Sequence, residues 1–406
     1  MYYLGIDVSK ASSRYIVLRD EGTTLKSFSL RNNHESFHEL TNRLTALGCQ
    51  QSNLLIGMEA TGAFWENLYG FLTNKRFRVI LLNPYHTSKF REALAKKAKT
   101  DDIDALIVAQ LLRTGEYVQS QVADEDIQTL RELVSTRYEF VTQRKNYQRK
   151  VYSLLAVIFP EFATTAIKNP FSVASSAILK RFPTALHLAQ AKPRHIEKLV
   201  RSIQGNNFNI NEIEHLITTA QKSIYQGRAR EARATTMRML LEHIEQLTRS
   251  IEELESNIHQ ILSPSSTTTG SESFPGSNLL TIPGVGEKTV AAVLSYLGKN
   301  GQSFETSTKA VGYIGFFPRI CESGQTRRDN KISKRGPKLL RAALYMAAVA
   351  SLKHNTELRT LYHRKLSQGK TEKQALICVA KKLLQIMLAM LKSGQPYNPA
   401  LVFVPA

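Results

Sequence analysis

Short apolar runs alternate with helical patterns over the first 115 residues of the chain. Apolar runs at Tyr2–Ile6, Arg14–Leu18 and Leu25–Leu30, separated by turn residues, predict three strands in an antiparallel meander. Two further strands and three helices follow along the chain: strands at Asn53–Met58 and Phe77–Leu82, and helices at His34–Leu47, Thr61–Leu72 and about Asp101–Leu112. A meander followed by alternating helices and strands predicts an α/β layer fold with a mixed sheet.

Residues 116–262 carry long helical patterns. Apolar residues recur every three or four positions through Thr129–Ile158 and again through Glu212–Leu262. This spacing predicts an antiparallel helix pair or an intermolecular coiled coil, and a simple spacer hairpin is the plainer alternative. A proline-containing stretch at about 159–210 predicts a separate, mostly helical insert between the two arms.

The remaining chain predicts a linker, a mostly helical domain and a tail. Residues 263–278 are rich in Ser, Thr and Gly and predict the linker. The domain occupies about 279–395 and the tail 396–406. The domain begins with a Pro-Gly-Val-Gly segment typical of a helix-hairpin-helix turn, in which Gly284, Gly286 and Lys288 would contact a phosphate. A glycine turn between two helices can also be purely structural.

The chain has a large excess of basic over acidic residues, which indicates a class of partner. Lys and Arg number 54 against 34 Asp and Glu in 406 residues, which gives a formal net charge of +20. An excess this large predicts a polyanion such as nucleic acid as partner, and a solvated basic surface is the plainer alternative. The three cysteines are far apart and predict neither a disulfide framework nor a zinc site. With no signal peptide and no apolar run approaching a membrane span, we expect a cytoplasmic protein.

Acidic residues stand where two predicted strands end and where a later helix begins. Asp7 follows the first strand, Glu59 follows the fourth, and Asp101 and Asp104 share one face of a first helical turn. Carboxylates in such a set bind Mg²⁺, and this order of acids is the pattern of RNase H-like nucleases. Acids at a helix N-terminus also serve as caps and oppose the helix dipole. Asp102 stays a candidate because a one-residue error in register exchanges it with Asp101.

A basic loop in the C-terminal domain carries one small hydroxyl beside a glycine. Ser323 is followed by Gly324 and surrounded by cations. Such a cluster predicts a phosphate-binding surface, and a serine within it can act as a nucleophile on phosphorus. A loop serine is more often only a turn residue. The cations of this predicted surface are Arg319, Arg327, Arg328, Lys331, Lys334, Arg335, Lys338 and Arg341.

Several motifs, in this order along the chain, resemble one family of recombinases. They are Gly5-Ile6-Asp7-Val8-Ser9-Lys10, Met58-Glu59-Ala60-Thr61-Gly62, Asn83-Pro84, Lys99-Thr100-Asp101 with Ile103-Asp104-Ala105, Ile282-Pro283-Gly284-Val285-Gly286, Glu322-Ser323-Gly324 and Ile332-Ser333-Lys334-Arg335-Gly336. Together they resemble the DEDD transposases of the insertion-sequence one-ten family, which also includes the Piv DNA invertase. The resemblance covers both ends of the chain.

This resemblance implies a function, a site and partners. The N-terminal domain would be RuvC-like, with Asp7, Glu59, Asp101 and Asp104 as a Mg²⁺-binding tetrad. The C-terminal domain would supply Ser323 as nucleophile, and DNA would be recombined through a phosphoserine-linked intermediate. Family members form dimers that join into tetramers, combine the domains of different protomers into one site, and are guided by a bridge RNA that pairs with donor and target DNA.

Two other functions remain open from the sequence. A RuvC-type structure-specific nuclease would cut DNA with metal-activated water, so Ser323 would be dispensable and only the tetrad essential. A non-catalytic nucleic-acid-binding protein would use the acids as caps and the basic loop as its binding surface. It would keep its affinity when the four acids are replaced.

Overall fold

The computed structural model describes most of the chain in two units. It covers residues 1–60, 62–94, 100–120, 122–165, 169–203, 208–263, 274–318, 322–323, 326–327 and 332–401, with only the backbone described at 322–323 and 326–327. The chain divides into two compact units, Met1–Ala123 and Asp124–Ala406. Each is described by itself below.

The first unit is built on a five-stranded sheet. Its strands are β1 (Tyr2–Val8), β2 (Ser12–Arg19), β3 (Thr24–Arg31), β4 (Leu54–Glu59) and β5 (Arg78–Leu82). They lie in the order β3-β2-β1-β4-β5. The first three strands pair antiparallel, whereas β4 pairs parallel with both β1 and β5. The predicted meander and mixed sheet are therefore confirmed.

Four helices cover the two faces of this sheet: α1 (His34–Ala46), α2 (Trp65–Asn74), α3 (Pro84–Ala93) and α4 (Asp101–Thr114). Leu4, Ile6 and Ile56 share a core with leucines of α1 and α2. On the opposite face, Leu55 and Ile80 pack against α4. The sequence pattern placed the start of α2 four residues too early and did not predict α3.

The second unit begins with two long helices and the insert between them. Its elements are α5 (Glu125–Ile158), a 3₁₀ turn (Pro160–Thr164), α6 (Val173–Arg181), α7 (Ala185–Ala189), α8 (Pro193–Arg201), α9 (Ile210–Gln221) and α10 (Arg230–Leu262). Arg137 pairs with Glu255 at 2.6 Å, and Arg144 donates to Thr248 at 3.2 Å. Residue numbers rise along α5 as they fall along α10, so the two helices form an antiparallel pair within one chain.

The prediction of one continuous helical stretch over Glu212–Leu262 is wrong. The structure ends α9 at Gln221 and begins α10 at Arg230. Gly227 and Ala229 adopt φ values of 76° and 52° between them, in the left-handed region that interrupts a helix. The insert therefore extends beyond residue 210. Its buried residues, among them Ile178 and Leu216, share one core with residues of α5 and α10.

The C-terminal part of this unit is mostly helical, as predicted. It contains a 3₁₀ turn (Ser277–Thr281), α11 (Glu287–Leu297), α12 (Ser307–Ile314), strands β6 (Glu322–Ser323) and β7 (Thr326–Arg327), then α13 (Lys338–His354), α14 (Thr356–Ser367), α15 (Glu372–Ser393) and a 3₁₀ turn at Pro399–Leu401. Most of the predicted linker at 263–278, and the last five residues of the predicted tail, lie outside the described residues.

One helix corrects the expectation that no segment approaches a membrane span. By length and composition, α15 is apolar enough to cross a membrane, with a mean hydropathy of 1.6 in its best window. Half of that window is buried within the protein, and Val379, Leu383 and Leu384 are fully enclosed. The core helix of a globular domain has the same length and composition.

Candidate active site

Two of the predicted acids lie near the C-terminal ends of neighbouring parallel strands, Asp7 as the last residue but one of β1 and Glu59 as the last residue of β4. The register pairs Ile6 of β1 with Met58 of β4, so Asp7 and Glu59 are the next residues along each strand. Adjacent strands lie about 4.8 Å apart. The sheet itself therefore brings these two carboxylates to one edge, where ligand sites of such folds commonly occur.

Both acids lie on the face of the sheet that α4 covers. Side chains alternate along a strand, so Asp7 shares its face with Gly5, and Glu59 shares its face with Gly57. A Cβ at Gly5 would lie 2.0 Å from the carbonyl oxygen of Ala105 in α4, and one at Gly57 would lie 2.7 Å from Leu112 Cδ1. The two glycines thus allow α4 to pack closely against the strands that carry the acids.

The first turn of α4 carries three acids in different surroundings. Thr100 caps the helix by accepting a hydrogen bond from the Ile103 N–H at 3.3 Å, so the carboxylates are not needed as caps. Asp101 is exposed. Asp104 is mostly buried and forms a 2.5 Å ion pair with Arg91 of α3. Asp102 instead forms a 2.6 Å ion pair with Arg14 of β2.

Helix α3 contributes residues that the sequence pattern missed. Thr87 is 1 % exposed and donates from its hydroxyl to Glu59 Oε2 at 2.7 Å. Arg91, one turn further on, contacts Asp104. The start of this helix was detectable, because Asn83 caps the Tyr85 N–H and Pro84 occupies the first helical position.

The acids fit a hard divalent cation by their chemistry. Asp7 and Glu59 lie on the α4 face of the sheet, and Asp101 and Asp104 lie on the first turn of α4 itself. All are carboxylate oxygen donors, which Mg²⁺ prefers. Within the part of the chain described, no three His, Cys, Asp or Glu residues stand at metal-ligating positions. The structure therefore places the acids on one side of the sheet without closing them into a ligand cage.

Ser323 lies in a short antiparallel hairpin. It pairs with Thr326, and Glu322 pairs with Arg327. Further along, Pro318 and Ile332 form an isolated antiparallel bridge. Ser323 is the second residue of β6. Gly324 and Gln325 lie outside the described residues.

The base of this hairpin is fixed by close backbone contacts. A Cβ at Gly336 would lie 1.8 Å from the Tyr313 carbonyl oxygen, and one at Gly315 would lie 2.4 Å from that of Arg335. Arg341 Nη1 donates to the carbonyl oxygens of Ile314, Arg335 and Gly336 at 2.9, 2.7 and 2.8 Å. Burial lowers the pKa of this guanidinium below its ordinary value. Arg341 thus connects the end of α12 to Arg335 and Gly336, which follow the hairpin in the sequence.

The other predicted phosphate-binding cations fall into two groups. Lys334, Arg335 and Lys338 are exposed next to the hairpin base. Arg319, Arg328 and Lys331 lie outside the described residues, and only the backbone of Arg327 is described. Their contact with nucleic acid stays a prediction.

The Pro-Gly-Val-Gly turn packs against α13. Gly284 has φ of 90°, and a Cβ there would meet the Ser351 backbone at 2.7 Å, so this glycine serves close helix packing. Nothing lies within 4 Å of a Cβ at Gly286, which caps α11. Lys288 pairs with Glu255 at 2.7 Å. A pocket of about 480 Å³ lies beside the turn, with Glu255 and Glu287 among its lining residues.

Glu255 joins three helices through its carboxylate. Besides Lys288 of α11, it accepts a hydrogen bond from Arg137 Nε of α5 at 2.8 Å. Burial alone would raise its pKa, but the hydrogen bonds and positive charges of Lys288 and Arg137 outweigh it and hold the pKa of Glu255 below its ordinary value.

Comparison with known proteins identifies both ends of the chain. Residues 4–160 match the family model of the DEDD transposases of the IS110 type, described as "Transposase". Residues 276–363 match a second model, described as "Transposase IS116/IS110/IS902 family". The first match contains the four predicted acids, and the second contains Ser323 with the whole basic cluster.

Full-length relatives are similar throughout. The pilin gene-inverting protein of Moraxella lacunata is 24 % identical over 399 residues, which cover 98 % of this chain and 97 % of the relative. The insertion element IS900 42 kDa protein of Mycobacterium paratuberculosis is 25 % identical, with 98 % and 97 % covered. The insertion element IS110 43.6 kDa protein of Streptomyces coelicolor is 23 % identical, with 98 % and 95 % covered.

Proposed function

Because the chain belongs to the IS110 family of transposases, we propose that it cuts and rejoins DNA as the recombinase of an insertion sequence. The observation that carries this proposal is the position of Asp7 and Glu59 near the C-terminal ends of paired parallel strands, on the face covered by the acidic helix α4. Carboxylates so grouped suit phosphodiester chemistry.

The acidic site would bind a divalent cation, Mg²⁺ in our proposal. Asp7, Glu59, Asp101 and Asp104 would hold it, and the bound cation would offset negative charge on the scissile phosphate. The order of strands and the position of α4 support a RuvC-like domain. Asp102, whose carboxylate pairs with Arg14, stays the alternative to Asp101 in this set.

The serine hairpin would supply the nucleophile. Ser323 Oγ would attack the scissile phosphorus and give up its proton, while the bond to the 3′ oxygen breaks and that oxygen takes up a proton. The resulting phosphoserine ester conserves the energy of the phosphodiester, so the reverse attack by an exchanged 3′ hydroxyl can rejoin the strands. Lys334, Arg335 and Lys338, exposed at the hairpin base, would hold the DNA backbone.

The partners in this proposal are donor DNA, target DNA and a structured bridge RNA. The net charge of +20 supports a nucleic-acid partner of either kind. We further propose a homodimer that joins into a tetramer in which Ser323 of one protomer serves the acidic site of another. The bacterial sources of the relatives support a prokaryotic cytoplasm as the location.

The test uses purified protein, its flanking non-coding RNA and end-labelled donor DNA, with Mg²⁺ or with EDTA. Products are separated on a denaturing gel before and after protease treatment. We expect a Mg²⁺-dependent, protease-sensitive adduct of protein and DNA. It should disappear in Ser323→Ala, with a loss on the order of 10⁴- to 10⁶-fold, while nucleic-acid binding persists.

Two results would contradict this proposal in different ways. Free cleaved ends without an adduct, formed equally by Ser323→Ala, would indicate a RuvC-type nuclease. Tight DNA binding without any Mg²⁺-dependent product, unchanged when Asp7 and Glu59 are replaced by Asn and Gln, would indicate a non-catalytic binding protein.

A further inference from the structure

One face of α3 contacts two of the four proposed cation ligands. Thr87 and Arg91 are four residues apart and therefore project from the same side of the helix. Thr87 Oγ1 donates to Glu59 Oε2 at 2.7 Å, and Arg91 Nη2 lies 2.5 Å from Asp104 Oδ1. One short helix thus links the acid at the end of β4 to the acid on the first turn of α4.

The contact of Thr87 is enclosed and specific. The residue is 1 % exposed, and its hydroxyl also approaches the Pro84 carbonyl oxygen at 3.0 Å. A buried hydroxyl hydrogen needs an acceptor, and the Glu59 carboxylate is the nearer of these two oxygens. The hydrogen bond holds one carboxylate oxygen of Glu59 in a fixed position. Hydrogen-bond partners of this kind orient metal ligands and tune their affinity.

The contact of Arg91 is also shielded from water. Its side chain is 20 % exposed and that of Asp104 is 14 % exposed. The opposite side of α3 offers a contrast, because Lys89 and Glu92 pair with each other there and are 49 % and 61 % exposed. Helix α3 therefore forms one shielded ion pair with a proposed cation ligand, and it carries a second ion pair that is exposed to solvent.

We propose that Thr87 and Arg91 are positioning residues, which orient the Glu59 and Asp104 carboxylates for the divalent cation. This inference rests on the proposed function of the acidic site. Neither residue contacts the DNA or the cation in this proposal. Each acts through the carboxylate that it holds.

The test compares four variants of the full-length protein: Thr87→Val, Thr87→Ser, Lys89→Gln and Glu59→Gln. Valine keeps the shape of threonine without the donor, whereas serine keeps the hydroxyl. The midpoint of thermal unfolding is followed during titration with MgCl₂ in the absence of nucleic acid, and donor cleavage is then titrated in the same way. The first readout is independent of catalysis.

We expect Thr87→Val to raise the half-saturating Mg²⁺ concentration about tenfold to a hundredfold in both titrations. Thr87→Ser and the surface control Lys89→Gln should titrate like the wild type, and Glu59→Gln should lose the saturable rise. An unchanged titration in Thr87→Val would overturn the role of Thr87. An equal shift in Thr87→Ser would do the same, because side-chain shape rather than the hydroxyl would then be responsible.

Arg91 is tested by Arg91→Lys, which keeps the positive charge but lacks the planar guanidinium. We expect cleavage at saturating Mg²⁺ to fall about tenfold, since a lysine reproduces the charge without the fixed geometry. Cleavage at the wild-type rate would remove Arg91 from the proposal. A wild-type protein that shows neither a thermal response to Mg²⁺ nor cleavage would instead refute the proposed function, whatever the variants do.

Discussion

The two regions proposed to share the chemistry are held in different ways. The acids of the first unit are fixed by long-range pairing of β1 with β4 and by a helix packed through Gly5 and Gly57. Ser323 lies in a hairpin with only two described strand pairs beyond the Pro318–Ile332 bridge. The acids therefore lie on a packed sheet and helix, whereas the described contacts near Ser323 are the hairpin pairs and the backbone contacts around the Pro318–Ile332 bridge.

This difference has a physical reason. Carboxylates on one side of a sheet repel one another, so the fold and neighbours such as Arg91 and Thr87 must hold them in position. A serine proposed as a nucleophile toward a DNA strand needs no such enforcement in the free protein. For the serine region, the fold has only to hold the ends of the hairpin together.

The largest effects are expected where alanine replaces a glycine that lies close to a neighbouring backbone, because the added methyl group has no room. In Gly5→Ala, the new Cβ would meet backbone atoms of Ala105 and Ala109, so α4 must move away from β1. We expect a loss of about 3 kcal/mol or more in the free energy of unfolding, measured with urea. Gly70→Ala is the matched control, because nothing lies within 4 Å of its Cβ.

The same change at the hairpin base should act locally. Gly336→Ala would place a Cβ against the Tyr313 carbonyl oxygen at a φ of 80°. We expect a smaller loss of stability than in Gly5→Ala, together with faster tryptic cleavage between residues 319 and 335 and loss of recombination. Gly312→Ala in α12 has open space and is the control. Equal global destabilisation by Gly5→Ala and Gly336→Ala would contradict the contrast drawn here.

Arg341 provides the next test, because sequence and structure favour different roles for it. The sequence places it among the phosphate-binding cations, but one of its nitrogens donates to three carbonyl oxygens at the hairpin base. We expect Arg341→Ala to reduce recombination about a hundredfold while leaving the salt dependence of DNA binding unchanged. The matched variant Lys338→Ala should instead reduce the slope of log affinity against log salt by about one. A reduced slope in Arg341→Ala would support the phosphate contact.

Arg91 allows a comparable test in the first unit. Arg91→Gln removes the counter-ion of a mostly buried Asp104. We expect the free energy of unfolding without Mg²⁺ to fall by about 2 kcal/mol, since a mostly buried carboxylate loses a charged partner. Saturating Mg²⁺ should recover part of that loss and stabilise Arg91→Gln more than wild type, because the cation takes over the neutralising role. The exposed control Lys89→Gln should change by less than about 0.5 kcal/mol.

Much of this arrangement follows from the sequence because its signals are local. Apolar runs located the five strands to within a few residues, and the register of β1 and β4 brings Asp7 and Glu59 to the same edge of the sheet. Helix α3 was missed because, of the ten residues in Pro84–Ala93, Thr87 is the buried one, which leaves no apolar period. Only the Asn83-Pro84 start signal remained.

Other features depend on contacts that no local pattern contains. Charge alone cannot distinguish Arg341, which contacts carbonyl oxygens, from exposed Lys338. The break between α9 and α10 depends on the left-handed conformation of Ala229, a residue that normally favours helix. The close contact that an added Cβ at Gly5 would make likewise depends on the packing of α4 against β1.

The smallest predicted effect concerns Glu255, an acid of the second unit that is paired with Arg137 and Lys288. Arg137 and Lys288 hold its pKa below the ordinary value of 4.5, so its stabilising contribution is complete above that pH. This stabilising contribution is lost as the pH falls from 4.5 through the lowered pKa of the folded protein. In that range Glu255 takes up a proton more readily in the unfolded chain than in the folded protein, which favours unfolding. We expect Glu255→Gln to cost about 1 kcal/mol at pH 7, with water screening part of the interaction.

Urea unfolding at pH 7, 5.5, 4 and 3 measures this difference between wild type and Glu255→Gln. The gap should be constant from pH 7 to 5.5 and shrink at pH 4 and 3. The exposed neighbour Glu253→Gln controls for the general effect of removing one charge from α10. A gap that stays constant down to pH 3 would mean that Glu255 stabilises the helix pair through packing rather than through its charge.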